Sequence, residues 1–125
     1  GLVGLAEWQR FSMWQPPAAP LFWLLQLQGQ PETCFVLMDP QAVWPDYQVH
    51  VSEEDLAALG AASADDVDVY CTTRLDEDGQ HMTANLLGPI LVNPATGAAV
   101  QTVLYDTTYT TSEPVEMPQA LAGSR

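Results

Sequence analysis

The sequence predicts an all-β domain interrupted by one short helix, and three observations carry that expectation. Ten prolines and eight glycines are scattered along 125 residues, and such punctuation suits strands and turns better than a helical bundle. The apolar runs between them, such as Leu21–Leu27 and Cys34–Met38, have the length of strands. One stretch alone, near the middle, carries the signals that start and stop a helix.

The elements follow in order. Phe11 to Trp14 is a first candidate strand, closed by Gln15-Pro16-Pro17. Leu21–Leu27 and Cys34–Met38 read as apolar strands on either side of Gln28-Gly29-Gln30-Pro31. Tyr47 to Val51 alternates apolar with polar residues, as a half-buried extended segment does. Ser52 then offers an N-cap hydroxyl with Asp55 three positions on, a variant of the capping box, and Val51 with Leu56 can form a hydrophobic staple. Glu53, Glu54 and Asp55 complement the positive end of the helix dipole, Leu56 and Leu59 anchor the helix to the core, and Gly60 ends it. Val67, Val69, Cys71 and Thr73 alternate with Asp68, Tyr70, Thr72 and Arg74 in the cleanest strand pattern of the chain. Leu86–Val92 and Ala98–Tyr105 look like arms of a hairpin around Asn93-Pro-Ala-Thr-Gly97. Past Ser112 the chain turns polar, so the expectation is a body over residues 1–112 and a loose tail over 113–125.

Charge excludes several functions. Three Lys and Arg against sixteen Asp and Glu give a net charge of −13, which repels nucleic-acid phosphates and anionic lipid alike. No direct nucleic-acid or membrane partner is therefore expected. An apolar content of 47% sets the chain apart from disordered acidic sequences. The apolar runs are too short to span a bilayer, and no signal peptide is visible, although the chain opens on Gly1 rather than Met. Cys34 and Cys71 each sit within an apolar or alternating run, which predicts buried free thiols in a reducing, cytoplasmic compartment.

Ten of the sixteen acids fall between Asp46 and Asp78. Asp76, Asp78 and Gly79 match positions 3, 5 and 6 of an EF-hand calcium loop, but Arg74 and Asn85 then occupy positions 1 and 12, where the ligands should be carboxylates. No calcium site and no cofactor is expected. Catalysis has little support: there is no Lys, His50 and His81 stand apart in polar settings, and no phosphate loop, nucleophile elbow or zinc spacing occurs. Trp23 reads as core and Trp44, beside Pro45, as a partly exposed contact.

Three segments taken together resemble the flagellar assembly factor FliW family. Gly1-Leu-Val-Gly4-Leu5 with Glu7, Arg10 and Phe11 is similar to the family's opening "GLPGFE…(R/K)F". Asp39-Pro40, Pro45-Asp46-Tyr47 and the helix from Ser52 to Leu59 resemble its "DP…PDY…DxxxL" centre. Thr83-Ala-Asn-Leu-Leu-Gly-Pro-Ile90 with Asn93 resembles "TANLxxPIxxN", and Gln101–Leu104 matches the strand that follows.

The resemblance implies a small open or barrel-like antiparallel β domain without enzymatic activity. It implies two partners: flagellin, and the RNA-binding translational regulator CsrA, which the family antagonises to relieve repression of flagellin translation. A −13 surface suits a basic RNA-binding partner. Family members tend to carry about twenty residues before the Gly-Leu opening, so one or two N-terminal strands are expected to be missing here. They also tend to carry Arg or Lys where Ala98-Ala99 and Thr110-Thr111-Ser112 stand. The candidate partner-binding residues are Asp39, Pro40, Pro45, Asp46 and Tyr47 in one segment and Asn85, Pro89 and Asn93 in the other. Glu53, Glu54 and Asp55 join them as electrostatic candidates. Pro, Asn and Tyr at strand ends also serve turns, which is the competing reading of the first eight. For the whole chain the alternative is a small acidic hydrolase or metal-binding domain with carboxylate ligands.

Overall fold

A computed structural model describes residues 7–8, 11–17, 21–27, 34–77, 79–105 and 107–115. Nine strands form it: β1 (Glu7–Trp8), β2 (Phe11–Trp14), β3 (Phe22–Leu27), β4 (Cys34–Met38), β5 (Asp68–Leu75), β6 (Met82–Ala84), β7 (Ile90–Asn93), β8 (Ala98–Gln101) and β9 (Glu113–Pro114). The one α-helix among the described residues, α1 (Glu53–Leu59), lies between β4 and β5, and short 3₁₀ turns span Pro40–Ala42 and Ala64–Asp66. The main sheet runs β1-β8-β7-β5-β4-β3-β2 with neighbouring strands antiparallel among the described residues, and β6 and β9 extend from β5. Strands β1 and β2 hold opposite margins of this sheet although two residues separate them in the chain. Three peptide steps reach at most about 10 Å, so the sheet must curl until its margins nearly meet. No ladder joins those margins among the described residues, and the sheet stays open.

The helix forms for the reasons legible in its residues. Ser52 accepts the Asp55 N–H at 3.0 Å, and three acids occupy the first turn. Gly60 takes the left-handed conformation, φ 65°, and the Ala61 N–H returns to the Leu56 carbonyl at 2.9 Å, closing the helix in a Schellman arrangement. Leu59 is fully buried with Leu91 and Val100, which pins α1 across β7 and β8. A leucine buried this fully stabilises the fold by about 1.5–3 kcal/mol.

The β5 ladder departs from the expected hairpin in an informative way. One margin of β5 pairs first with β7, ending at Tyr70–Ile90, and then with β6, resuming at Thr73–Ala84. Two residues of β5 therefore face five of the other strand, 85–89, which must detour. Asn85 sets the detour by accepting the N–H groups of Leu87 and Gly88 on its side-chain oxygen, at 3.1 and 2.8 Å. The apolar run from Leu86 thus begins outside the ladder, and the strand starts only at Ile90. The second arm likewise ends at Gln101, after which the chain stays extended and donates from Thr102 to Pro89 and from Leu104 to Leu87.

Other expectations need correction or fall outside the description. Residues 113–115 are not tail: β9 pairs with β6, and the Val115 N–H reaches the Met82 carbonyl at 2.9 Å. The segment Tyr47–Val51 belongs to no strand. Trp23 lies at the margin of the core, edge-to-face with Tyr70 at 6.0 Å, and Trp44 packs half-buried as expected. Cys71 is free and buried, whereas the side chain of Cys34 and residues 1–6 and 116–125 lie outside the described part. Asp76 is occupied by its own hairpin, accepting the Gln80 and His81 N–H groups and pairing with the His81 ring at 2.9 Å; Asp78 lies outside the described residues.

Candidate partner-binding site

The two predicted segments meet in the interior, not on the surface. Asp39 caps the first 3₁₀ turn by accepting the Gln41 N–H at 2.9 Å, and Pro40 begins that turn with no N–H to leave unpaired. The turn feeds the chain inward so that Tyr47, 1% exposed, sits among Met38, Cys71 and Leu86. Its hydroxyl donates to the Leu86 carbonyl at 2.7 Å, which ties the 39–47 segment to the 85–89 detour. Its ring stands edge-on to Tyr109 at 5.0 Å, and the Gln41 side chain donates to its carbonyl at 2.8 Å. Burial raises the ionisation of the Tyr47 phenol well above its ordinary range, with Cys71 and Tyr109 adding to the shift. Burial also pushes the Cys71 thiol up to about 12, with the Asp39 charge adding to it.

A second bolt joins the helix to the sheet. Asn93, 2% exposed, donates to the Leu59 carbonyl at 3.0 Å and accepts the Ala95 N–H at 3.0 Å. The Thr96 hydroxyl donates to the same Leu59 carbonyl at 2.7 Å. Two donors from the β7–β8 turn thus satisfy a carbonyl that the helix end leaves orphaned. Pro89 is buried as well, its carbonyl taken by Thr102.

Of the residues expected to touch a partner, Pro40, Tyr47, Pro89 and Asn93 lie within the framework of the fold. They are buried, and the polar side chains among them bond within the chain. Asn85 is half-buried and occupied with its turn. Asp39, Pro45, Asp46, Glu53 and Glu54 are exposed, and Asp55 is half-buried.

What lies outside the framework is an open groove of about 630 Å³ between the segment after Tyr47 and the one after Gln101. Gln48, His50 and Ser52 form one wall, the polar phase of the alternation whose other phase, Val49 and Val51, packs inward. Glu54 and Asp55 line it too, as do Val103 and Tyr105, which are 53% and 84% exposed. Among the described residues no Lys or Arg lines the groove. Two of the three electrostatic candidates, Glu54 and Asp55, thus line one site with an aliphatic and an aromatic side chain, Val103 and Tyr105, that the sequence reading passed over; Glu53 does not line it. The signal available for Tyr105 was an aromatic inside a Thr-rich polar run, Thr102 to Thr111. Among the described residues no three His, Cys, Asp or Glu side chains are grouped to hold a metal.

Comparison with known proteins decides the kinship. The sequence profile described as "FliW protein" matches residues 1–115. The chain belongs to the FliW family. Its members are flagellar assembly factors, not enzymes. Among FliW relatives, the flagellar assembly factor of Natranaerobius thermophilus is 33% identical over 92% of this chain and 77% of its own length. That of Symbiobacterium thermophilum is 36% identical over 92% of this chain and 84% of its own. The crystal structure of a flagellar assembly factor FliW superposes with a TM-score of 0.76 at 28% identity, covering 87% of this chain and 75% of that one. The open antiparallel sheet with one helix is thus the FliW fold.

Proposed function

We propose that this FliW-family chain acts in the cytoplasm as a non-enzymatic assembly factor that binds flagellin and antagonises CsrA, relieving repression of flagellin translation. The observation that carries the reading is the groove, which Glu54 and Asp55 line together with an exposed Val103 and Tyr105 in a chain of net charge −13. Apolar and acidic lining together suit a basic protein partner, because charge speeds the encounter while aromatic burial holds the complex. A bound acidic domain also repels mRNA phosphates within about 8 Å, the screening length at physiological salt. Among the described residues no helix is long and apolar enough to cross a membrane.

The test is a pull-down of the purified chain against CsrA and flagellin from the same source, followed by association kinetics across salt. Replacing Glu53, Glu54 and Asp55 by Gln, Gln and Asn should slow association and flatten its salt dependence, with dissociation changed less. The same change weakens the helix N-terminus by about 0.3–1 kcal/mol per charge, so folding is measured alongside. Neither partner retained, or wild-type kinetics in a folded triple variant, would remove the basis of the proposal.

A further inference from the structure

Strand β4 leaves the sheet after Met38, its last residue paired with β5, and passes into the 3₁₀ turn Pro40–Ala42. Between that turn and the start of β5 lies a notch of about 410 Å³, within the size range of pockets that hold ligands. It shares no lining residue with the groove. Asp68 and Tyr70, two positions apart on β5, lie on one face of the strand. Asp39, still extended at φ −72° and ψ 112°, follows the Met38–Cys71 pair by one residue and so stands level with Tyr70. Pro40, Val49, Val67 and Val69 supply apolar lining. Asp39 spends one carboxylate oxygen on the Gln41 N–H, at 2.9 Å. No hydrogen bond or ion pair among the described residues reaches the Asp68 carboxylate or the Tyr70 hydroxyl. Burial first, and then the charges of Asp68 and Asp39, raise the Tyr70 phenol above its ordinary value, so both carboxylates act on one half-buried hydroxyl. The notch therefore gathers negative charge around a polar group, and among the described residues no cation lines it.

We infer that this notch is a receptor for an arginine side chain of a protein partner. The guanidinium donates to Asp39, Asp68 and the Tyr70 oxygen, and the aliphatic stem packs on the valines. Charge complementarity requires a cation, and the apolar lining requires one that carries a hydrocarbon stem. Arginine suits the site better than lysine, because its planar fork donates in several directions at once whereas an ammonium is a compact point charge. The Tyr70 ring is held edge-to-face by Trp23 at 6.0 Å, so its hydroxyl is already in place and binding orders little. The inference rests on the proposed function only in taking the partner for a basic protein, and it adds an anchor apart from the groove.

The probe is the capped peptide acetyl-Gly-Arg-Gly-amide, titrated into the full chain at physiological salt and followed by NMR, with acetyl-Gly-Lys-Gly-amide beside it. Saturable shifts should appear at Asp39 and residues 67–70 and not at Val103 or Tyr105, and the lysine peptide should bind several-fold more weakly. Asp68→Asn, at an exposed position, should weaken the arginine peptide about ten-fold, the loss expected for one hydrogen bond between charged groups. Tyr70→Phe keeps the ring against Trp23 and should weaken binding a few-fold. Glu54→Gln with Asp55→Asn, in the groove, should leave it unchanged. The peptide contains neither proposed partner, so it can bind where the pull-down fails, and the pull-down can succeed through the groove where the peptide does not bind. Equal affinity for the two peptides, or shifts spread over the acidic surface, would mean attraction by charge alone and overturn the inference. The absence of saturable binding overturns it too, as does an Asp68→Asn chain that binds like the wild type.

Discussion

Tyr47→Phe isolates a single bond between the two halves of the motif region. It removes the hydroxyl that donates to the Leu86 carbonyl at 2.7 Å and leaves the ring in place against Tyr109. No other donor among the described residues reaches that carbonyl, and both partners are buried, so the loss is that of an orphaned acceptor, about 1–3 kcal/mol. For a domain of this size each kcal/mol lowers the melting temperature by roughly 3–6 °C. The variant also has a signature in pH. The folded phenol titrates above its ordinary value of 10.0, so the unfolded chain releases that proton first, and the wild type loses stability as pH rises past 10. The phenylalanine variant has no such proton, so the gap between the two should narrow by about 1.4 kcal/mol per pH unit there. Urea unfolding followed by tryptophan fluorescence at pH 7 and across pH 9–11 measures both. A variant within experimental error of wild type at pH 7, with the same alkaline slope, would refute the bond as a tie between the segments.

Further outcomes follow from the same interior. Asn93→Ala should cost about 1–3 kcal/mol, because Thr96 alone then serves the Leu59 carbonyl and the Ala95 N–H loses its acceptor; a urea midpoint shift reads it. Gly60→Ala should destabilise by about 1–2 kcal/mol, since φ is 65° and the new methyl would meet the Thr96 methyl at 3.1 Å. In the wild type the Cys71 thiol, held up to about 12, adds its own loss of stability from pH 9 upward as the unfolded thiol ionises. Cys71→Ala should start less stable at pH 7 yet lack that component, as parallel alkaline unfolding curves would show.

The sequence made the local signals legible and the long-range ties illegible. Ser52, Asp55 and Gly60 act within a few positions of one another, so the helix could be read with both ends in place. The alternation of Val67 to Thr73 gave β5 because one face of that strand is buried. By contrast, nothing local tells that the Tyr47 hydroxyl meets a backbone carbonyl thirty-nine residues away. Residue type made Tyr47 and Asn93 candidates for contact, and burial assigned them to the frame. Leu86 to Val92 read as one strand because the run is mostly apolar, whereas the Asn85 side chain captures the N–H groups of Leu87 and Gly88 and the chain rejoins β5 only at Ile90. Glu113 and Pro114 offered no apolar pattern; what places them is pairing to β6. At the candidate site the acids were legible from charge, and Val103 and Tyr105 were not, because their exposure depends on which edge of an extended segment faces the detour.

The placement of β1 and β2 on opposite margins has a consequence for how the chain matures on the ribosome. Glu7 pairs with Val100, ninety-three positions later, whereas Phe11 pairs with Leu27 close by. During synthesis β2 can therefore find its partner almost at once, while β1 waits for β8 to emerge, an interval of about 5–20 s at ordinary elongation rates. Over that time the nascent domain grows from its β2 margin toward an uncovered β7 and β8, and Glu7 and Trp8 dock long after they are made. The seam between Trp8 and Phe11 joins the earliest and the latest events of folding within a single short stretch of backbone.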